Sequence, residues 1–111
     1  MSADDPAPEI ATTVRAIVGG IGALLGTDGE ALAAACPVVV DDGFVGDGYG
    51  VPSAASREAQ ELAARTEALF VDHTYTAKAL AALVAYVRAR RIPEGRTVLF
   101  WHTGGQVGLF A

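Results

Sequence analysis

Three segments of the 111-residue chain place chemically capable side chains at close spacing. The first is Asp41–Pro52, where Tyr49 stands between Gly48 and Gly50. Glycines let backbone approach a ligand closely, and the same composition also suits a plain surface loop. The second is Asp72-His73-Thr74-Tyr75-Thr76-Ala77-Lys78-Ala79. A tyrosine and two hydroxyls sit there at a helix start, whose free N–H groups favour polar or anionic ligands; simple capping by threonine accounts for the same residues. The third is Val98-Leu99-Phe100-Trp101-His102-Thr103-Gly104-Gly105, an apolar run ending in a hydroxyl and paired glycines. Ligands of α/β sheets bind beyond the carboxyl ends of strands, so this segment reads as a site more readily than as a bare turn.

Other reactive groups are sparse. Cys36 is the lone cysteine, reads as a small buried hydrophobe ahead of a strand, and fits a reducing cytoplasm. His73 and His102 lack Cys or carboxylate neighbours at ligand spacing, so no metal site is expected. Lys78 is the only lysine. In the first turns of an amphipathic helix it reads as a solvated charge, and a cofactor lysine would need a desolvated site. Arg88, Arg90 and Arg91 read as a solvated helix end.

These segments need elements to hold them. Residues 1–8 read as a frayed lead-in, and residues 9–111 as one partial α/β domain. Ile10, Val14, Ile17, Val18, Ile21, Leu24 and Leu25 recur at helical spacing from Glu9 to Leu25, with Gly26 as a C-cap. Gly19, Gly20 and Gly22 weaken that helix by ~1 kcal/mol each, so it needs tertiary support. Pro37–Val40 reads as a short strand and Gly43–Pro52 as loop. Ser53 caps a helix running to about Ala68, and Thr74 or Thr76 caps another over Ala77–Arg91, closed by Ile92–Gly95. Arg96–Trp101 reads as a buried parallel strand. Two strands are too few to hide both faces of a buried sheet, so the pattern expects more chain or a partner.

The chain is 51% hydrophobic and 19% charged, which excludes a solvated disordered segment. Its net charge of −5 and lack of a basic stripe argue against nucleic acid and anionic membrane surfaces. The start lacks the basic-then-apolar pattern of a secretory signal, and no run approaches the ~20 apolar residues of a membrane span. A soluble, cytoplasmic location is expected.

In order, GYGVP, a short helix, DxxYTxKA, a second helix and VLFxHTGGxxxLFA resemble the C-terminal part of the D-cysteine desulfhydrase and 1-aminocyclopropane-1-carboxylate (ACC) deaminase family. Those are pyridoxal-phosphate enzymes of the tryptophan-synthase-β-like fold, fold type II. The resemblance covers nearly everything after residue 8, and it implies an α/β fragment with a few parallel strands flanked by helices. It implies that Tyr75 lies against the pyridine ring and that Tyr49 is a second active-site tyrosine near a small amino-acid substrate. Thr76 falls where ACC deaminases have a glutamate facing the pyridine nitrogen, and Thr103 where they have leucine. Hydroxyls at both places are the desulfhydrase-like pattern and suit an unprotonated ring nitrogen. Gly104 and Gly105 would complete the cofactor contacts.

The chain departs from the family at Ala77, where glycine is usual, at His73-Thr74, in place of Pro-Val, and at Gln106-Val107-Gly108, in place of a proline-containing turn. The family's Schiff-base lysine and phosphate cradle lie N-terminal to the matching part, and Lys78 matches neither. The expectation is thus part of a pyridoxal-phosphate lyase or deaminase performing α,β-elimination, with its lysine supplied by a separate N-terminal chain of the same enzyme. The alternative is a non-catalytic remnant held by self-association.

Overall fold

The computed structural model describes residues 5–104, which contain four helices: α1 (Ala7–Leu24), α2 (Gly29–Ala35), α3 (Ala54–Glu67) and α4 (Thr76–Arg88). The chain divides after Asp42 into two compact units.

In the first unit, α1 follows the apolar spacing of its sequence; its first amide, Ala7 N–H, donates to the Asp42 carboxylate at 3.2 Å, and the Glu9 N–H donates to the Pro6 carbonyl at 3.1 Å. Gly26, at φ +70°, ends it in a left-handed turn, and the Thr27 N–H and hydroxyl both donate to the Gly22 carbonyl (2.9 and 3.1 Å). Asp28 then caps α2, accepting from the Glu30 and Ala31 amides at 3.0 Å each. The two helices approach so closely that a Cβ on Gly22 would stand 2.6 Å from the Gly29 Cα. The tertiary support that a glycine-bearing helix requires is therefore contact between backbones. The sequence reading passed over α2, because seven alanine-rich residues carry no amphipathic period.

In the second unit, Ser53 begins α3 with a reciprocal capping box: its hydroxyl accepts from the Ser56 amide at 3.1 Å, and Ser56 Oγ accepts from the Ser53 amide at 2.9 Å. α3 packs on α4. Their shared core is built of small residues, Ala59, Ala63, Ala77, Ala81 and Ala82, with Val71 from the connection. Arg88 on α4 donates to Glu58 on α3 at 2.6 Å across the exposed side. That bond holds the Glu58 carboxyl below its usual value and the Arg88 guanidinium above its own. Beyond α4, Arg90 and Arg91 donate to the Val87 and Tyr86 carbonyls, with Arg90 itself left-handed at φ +55°. The Arg91 guanidinium lies 4.1 Å from the centre of the Tyr86 ring.

The expected α/β class with parallel strands is incorrect: among the described residues there is no strand. Pro37, expected to open one, is instead the centre of a tight turn in which the Val38 N–H donates to the Cys36 carbonyl at 2.8 Å. Cys36, the C-cap of α2, is half-buried. Arg96–Trp101, the second expected strand, forms no ladder, and Leu99 and Trp101 are about four-fifths exposed. An apolar run states that a segment suits a sheet interior. The ladder itself needs neighbouring backbone, which these segments do not find among the described residues. No helix among the described residues is long and apolar enough to cross a membrane.

Candidate cofactor-facing site

The connection from α3 to α4 is organised by one carboxylate. Asp72 Oδ2 accepts from the Thr74 and Tyr75 amides at 2.9 and 2.8 Å, and Oδ1 accepts from the Thr76 amide at 2.9 Å and the Thr76 hydroxyl at 2.6 Å. The Asp72 amide in turn donates to Thr76 Oγ1 at 2.9 Å. Burial pushes the Asp72 carboxyl up, and the bonds from the Thr76 hydroxyl and the three amides outweigh it, leaving the group below its usual value. Sequence reading assigned the capping to Thr74 or Thr76 and missed Asp72. The available signal was an aspartate four residues before the first helical position, placed to collect the amides of a turn.

This turn presents Tyr75 at the start of α4, about half exposed. The glycine loop presents Tyr49, also more than half exposed, and the two hydroxyls are hydrogen-bonded to each other. Their rings meet edge to face, with centroids 5.7 Å apart and planes at 73°. The Tyr49 hydroxyl, aided by partial desolvation and the Asp72 charge, holds the Tyr75 phenol above its ordinary value, so Tyr75 stays protonated through neutral pH.

Lys78 contradicts its sequence reading as a solvated charge. It is 1% exposed, and its ammonium donates to the Val45 carbonyl at 2.6 Å and the Gly48 carbonyl at 2.8 Å. Burial alone does not make a nucleophile, because the Nζ hydrogens are already given to these two carbonyls.

At the third segment, the Gly104 N–H donates to His102 Nδ1 at 3.2 Å. Nδ1 therefore lacks a proton, and Nε2–H donates to the Phe70 carbonyl at 3.0 Å. Through these two bonds the ring tethers the 102–104 turn to the connection that leads into Asp72. Thr103 is exposed and Gly104 half-buried at φ +118°. Gly105 lies outside the described residues.

Of the residues singled out in the sequence, then, the structure brings Tyr49 and Tyr75 together and commits the Thr76 hydroxyl to Asp72 within the buried turn. It holds Thr103 and Gly104 on a segment anchored by His102. Among the described residues no group of three or more His, Cys, Asp or Glu is placed to hold a metal ion. The arrangement offers two aromatic rings with joined phenols and, on the anchored 102–104 segment, an exposed hydroxyl at Thr103.

The family model described as pyridoxal-phosphate dependent enzyme matches residues 3–104, a span that contains both tyrosines, the Asp72 turn and the anchored 102–104 segment. By that match over nearly its whole length, the chain belongs to the family of pyridoxal-phosphate-dependent enzymes.

Proposed function

We propose that this chain forms the tyrosine-lined wall of a pyridoxal-phosphate site of the D-cysteine desulfhydrase kind, in which a small amino acid undergoes α,β-elimination to a keto acid and ammonia. The observation that carries the reading is the hydroxyl-bonded pair Tyr49–Tyr75, formed by the two residues that the desulfhydrase resemblance puts at cofactor and substrate. Thr103 supports it as a neutral hydroxyl for the ring nitrogen. Thr76 serves that purpose less well, since its single hydroxyl proton is already given to Asp72.

Covalent attachment of the cofactor does not fit these residues. The one lysine is buried and bonded to two carbonyls, and freeing it would strand both it and the loop it holds. The reading therefore places the cofactor's lysine and phosphate cradle outside these residues, in the cytoplasm, with the residues here contributing ring contact, substrate contact and proton-bearing phenols.

The test is to add pyridoxal phosphate to the purified chain, reduce with borohydride and map any modified lysine. The chain alone is expected to give no adduct at Lys78. Adding the lysine-bearing N-terminal part of a desulfhydrase-like enzyme is expected to give the absorbance of lysine-bound cofactor and pyruvate release from D-cysteine, both weakened by Tyr75→Phe. An adduct on Lys78, or no pyruvate from the assembled parts, would overturn the split-site reading.

A second reading, self-association without catalysis, draws on the exposed apolar residues Leu24, Leu25, Leu99 and Trp101. A chain that sediments as a stable homodimer and ignores the added part would favour it.

A further inference from the structure

We propose that Lys78 is a positioning residue for the tyrosine pair: by gripping the Val45 and Gly48 carbonyls it sets the loop that delivers the Tyr49 hydroxyl to Tyr75. The inference builds on the reading of Tyr49 and Tyr75 as a cofactor-facing wall, although the geometry behind it stands without the cofactor.

A buried ammonium is costly unless its protons are bonded, and Lys78 meets that demand with backbone carbonyls at 2.6 and 2.8 Å. The loop it grips is held near its start by the Phe44 ring, edge to face with Tyr86 of α4 at 6.1 Å between centroids, and its later part, around Tyr49, is rich in glycine. Gly46, Gly48 and Gly50 all have positive φ (+70°, +139° and +71°), a region glycine enters freely and leaves as freely. The Gly48 carbonyl also accepts from the Val51 amide at 3.3 Å, closing a turn whose central residues are Tyr49 and Gly50. Lys78 thus holds the carbonyl on which that turn is hinged. Tyr75 precedes Lys78 by three residues, a spacing that places both on one side of the helix start. A single turn of α4 therefore holds the loop twice, by its backbone through Lys78 and by its side chain through Tyr75. Without the first hold, the Gly48 turn that carries Tyr49 would be tied directly to the start of α4 only through Tyr75, by one exposed hydroxyl bond and a ring edge. The same geometry explains why the chain's only lysine is unavailable to an aldehyde cofactor.

The test uses the cofactor-free full chain, so its result is separate from the cofactor-capture experiment and either can fail alone. Tyrosine ionisation is followed by phenolate absorbance, with far-UV circular dichroism as the folding control. The wild-type chain should show a late-ionising tyrosine, and Tyr49→Phe should remove that late step. Lys78→Met, which fills the same volume without donors, is expected to keep the helical signal and lose the late step as Tyr49→Phe does. A folded Lys78→Met chain that retains the wild-type late step would refute the proposal, because a merely structural lysine would leave the phenols paired. If Lys78→Met does not fold, the wild-type protein labelled with 15N-lysine decides. Slowly exchanging Nζ protons with Overhauser contacts to Val45 and Gly48, alongside Tyr49–Tyr75 ring contacts, support the grip. A resonance exchanging as fast as free lysine, or absent ring contacts, overturns it.

Discussion

Each of the two units is held together internally, and the means are opposite. In the first, α1 and α2 approach backbone to backbone at Gly22 and Gly29, with the Leu32 side chain beside Gly22; Gly22 is the buried residue of α1, while Ile17, Ile21, Leu24 and Leu25 remain exposed. In the second, the apolar core is almost all alanine, and four polar residues, Ser56, Asp72, Thr76 and Lys78, are buried with it. Alanine has little area to remove from water, so the second unit draws its definition from hydrogen bonds that have no slack, and the first from a backbone approach that has none. Neither tolerates change at its point of contact. The chemical nature of the intolerable change differs: a lost acceptor in one, an added methyl in the other.

The sharpest way to break the second unit is Asp72→Ala. It strands the Thr74, Tyr75 and Thr76 amides and the Thr76 hydroxyl together, and buried donors left without acceptors cost ~1–3 kcal/mol each, shared here among groups that partly find water. A loss of about 3 kcal/mol in urea unfolding followed by circular dichroism is expected, with the late tyrosine ionisation lost as well. Protonation should mimic the mutation. Because the folded Asp72 lies below its ordinary value, the unfolded chain takes up the proton first. The stability it contributes is complete above the ordinary aspartate range and is lost as pH falls through the lower, folded value. Asp72→Asn, which cannot titrate, should flatten that acid loss. An acid profile unchanged by Asp72→Asn would show that the carboxylate is not the controlling group.

The first unit should be most sensitive at Gly29→Ala, since the new Cβ would collide with the Gly19 carbonyl, backbone that cannot swing aside. Overpacking of this kind costs ~1–3 kcal/mol. Amide hydrogen exchange should show protection falling across α1 and α2 and little altered in α3 and α4. Gly20→Ala provides the contrast on the same helix. A Cβ there meets nothing within 4 Å, so the change should gain up to ~1 kcal/mol from helix propensity alone. If both substitutions destabilise alike, close approach is not what the glycines serve.

How much of this was legible in the sequence follows the same division. α1, α3 and α4 are visible in apolar spacing, and the Ser53 cap in its hydroxyl, because these signals are local. The strands misread at Pro37–Val40 and Arg96–Trp101 had the composition of a sheet interior, while pairing depends on backbone elsewhere. The site divides likewise. Tyr49 and Tyr75 were recognisable one by one, but their meeting spans 26 residues and runs through a glycine loop with no pattern of its own. Lys78 was misread for the same reason, since its partners are peptide carbonyls, which every sequence supplies everywhere and no residue type announces.

The smallest expected effect concerns how helices end. The first unit uses glycine for its left-handed turn at Gly26, whereas the second ends α3 on Ala68 at φ +52°. A left-handed alanine costs roughly 1 kcal/mol over glycine, offset in part by the extra freedom glycine gains on unfolding. Ala68 is exposed, so replacing it removes no packing, and the Leu69 amide still reaches the Ala63 carbonyl at 3.2 Å. Ala68→Gly should therefore raise the urea midpoint by the equivalent of ~0.5–1 kcal/mol, with the slope unchanged. The gain should appear in α3 and α4 protection and not in α1. Should Ala68→Gly instead destabilise, the alanine would be selecting this turn from the unfolded chain. The second unit would then depend on a restrained connection into Phe70, Val71 and Asp72 as much as on the hydrogen bonds that follow it.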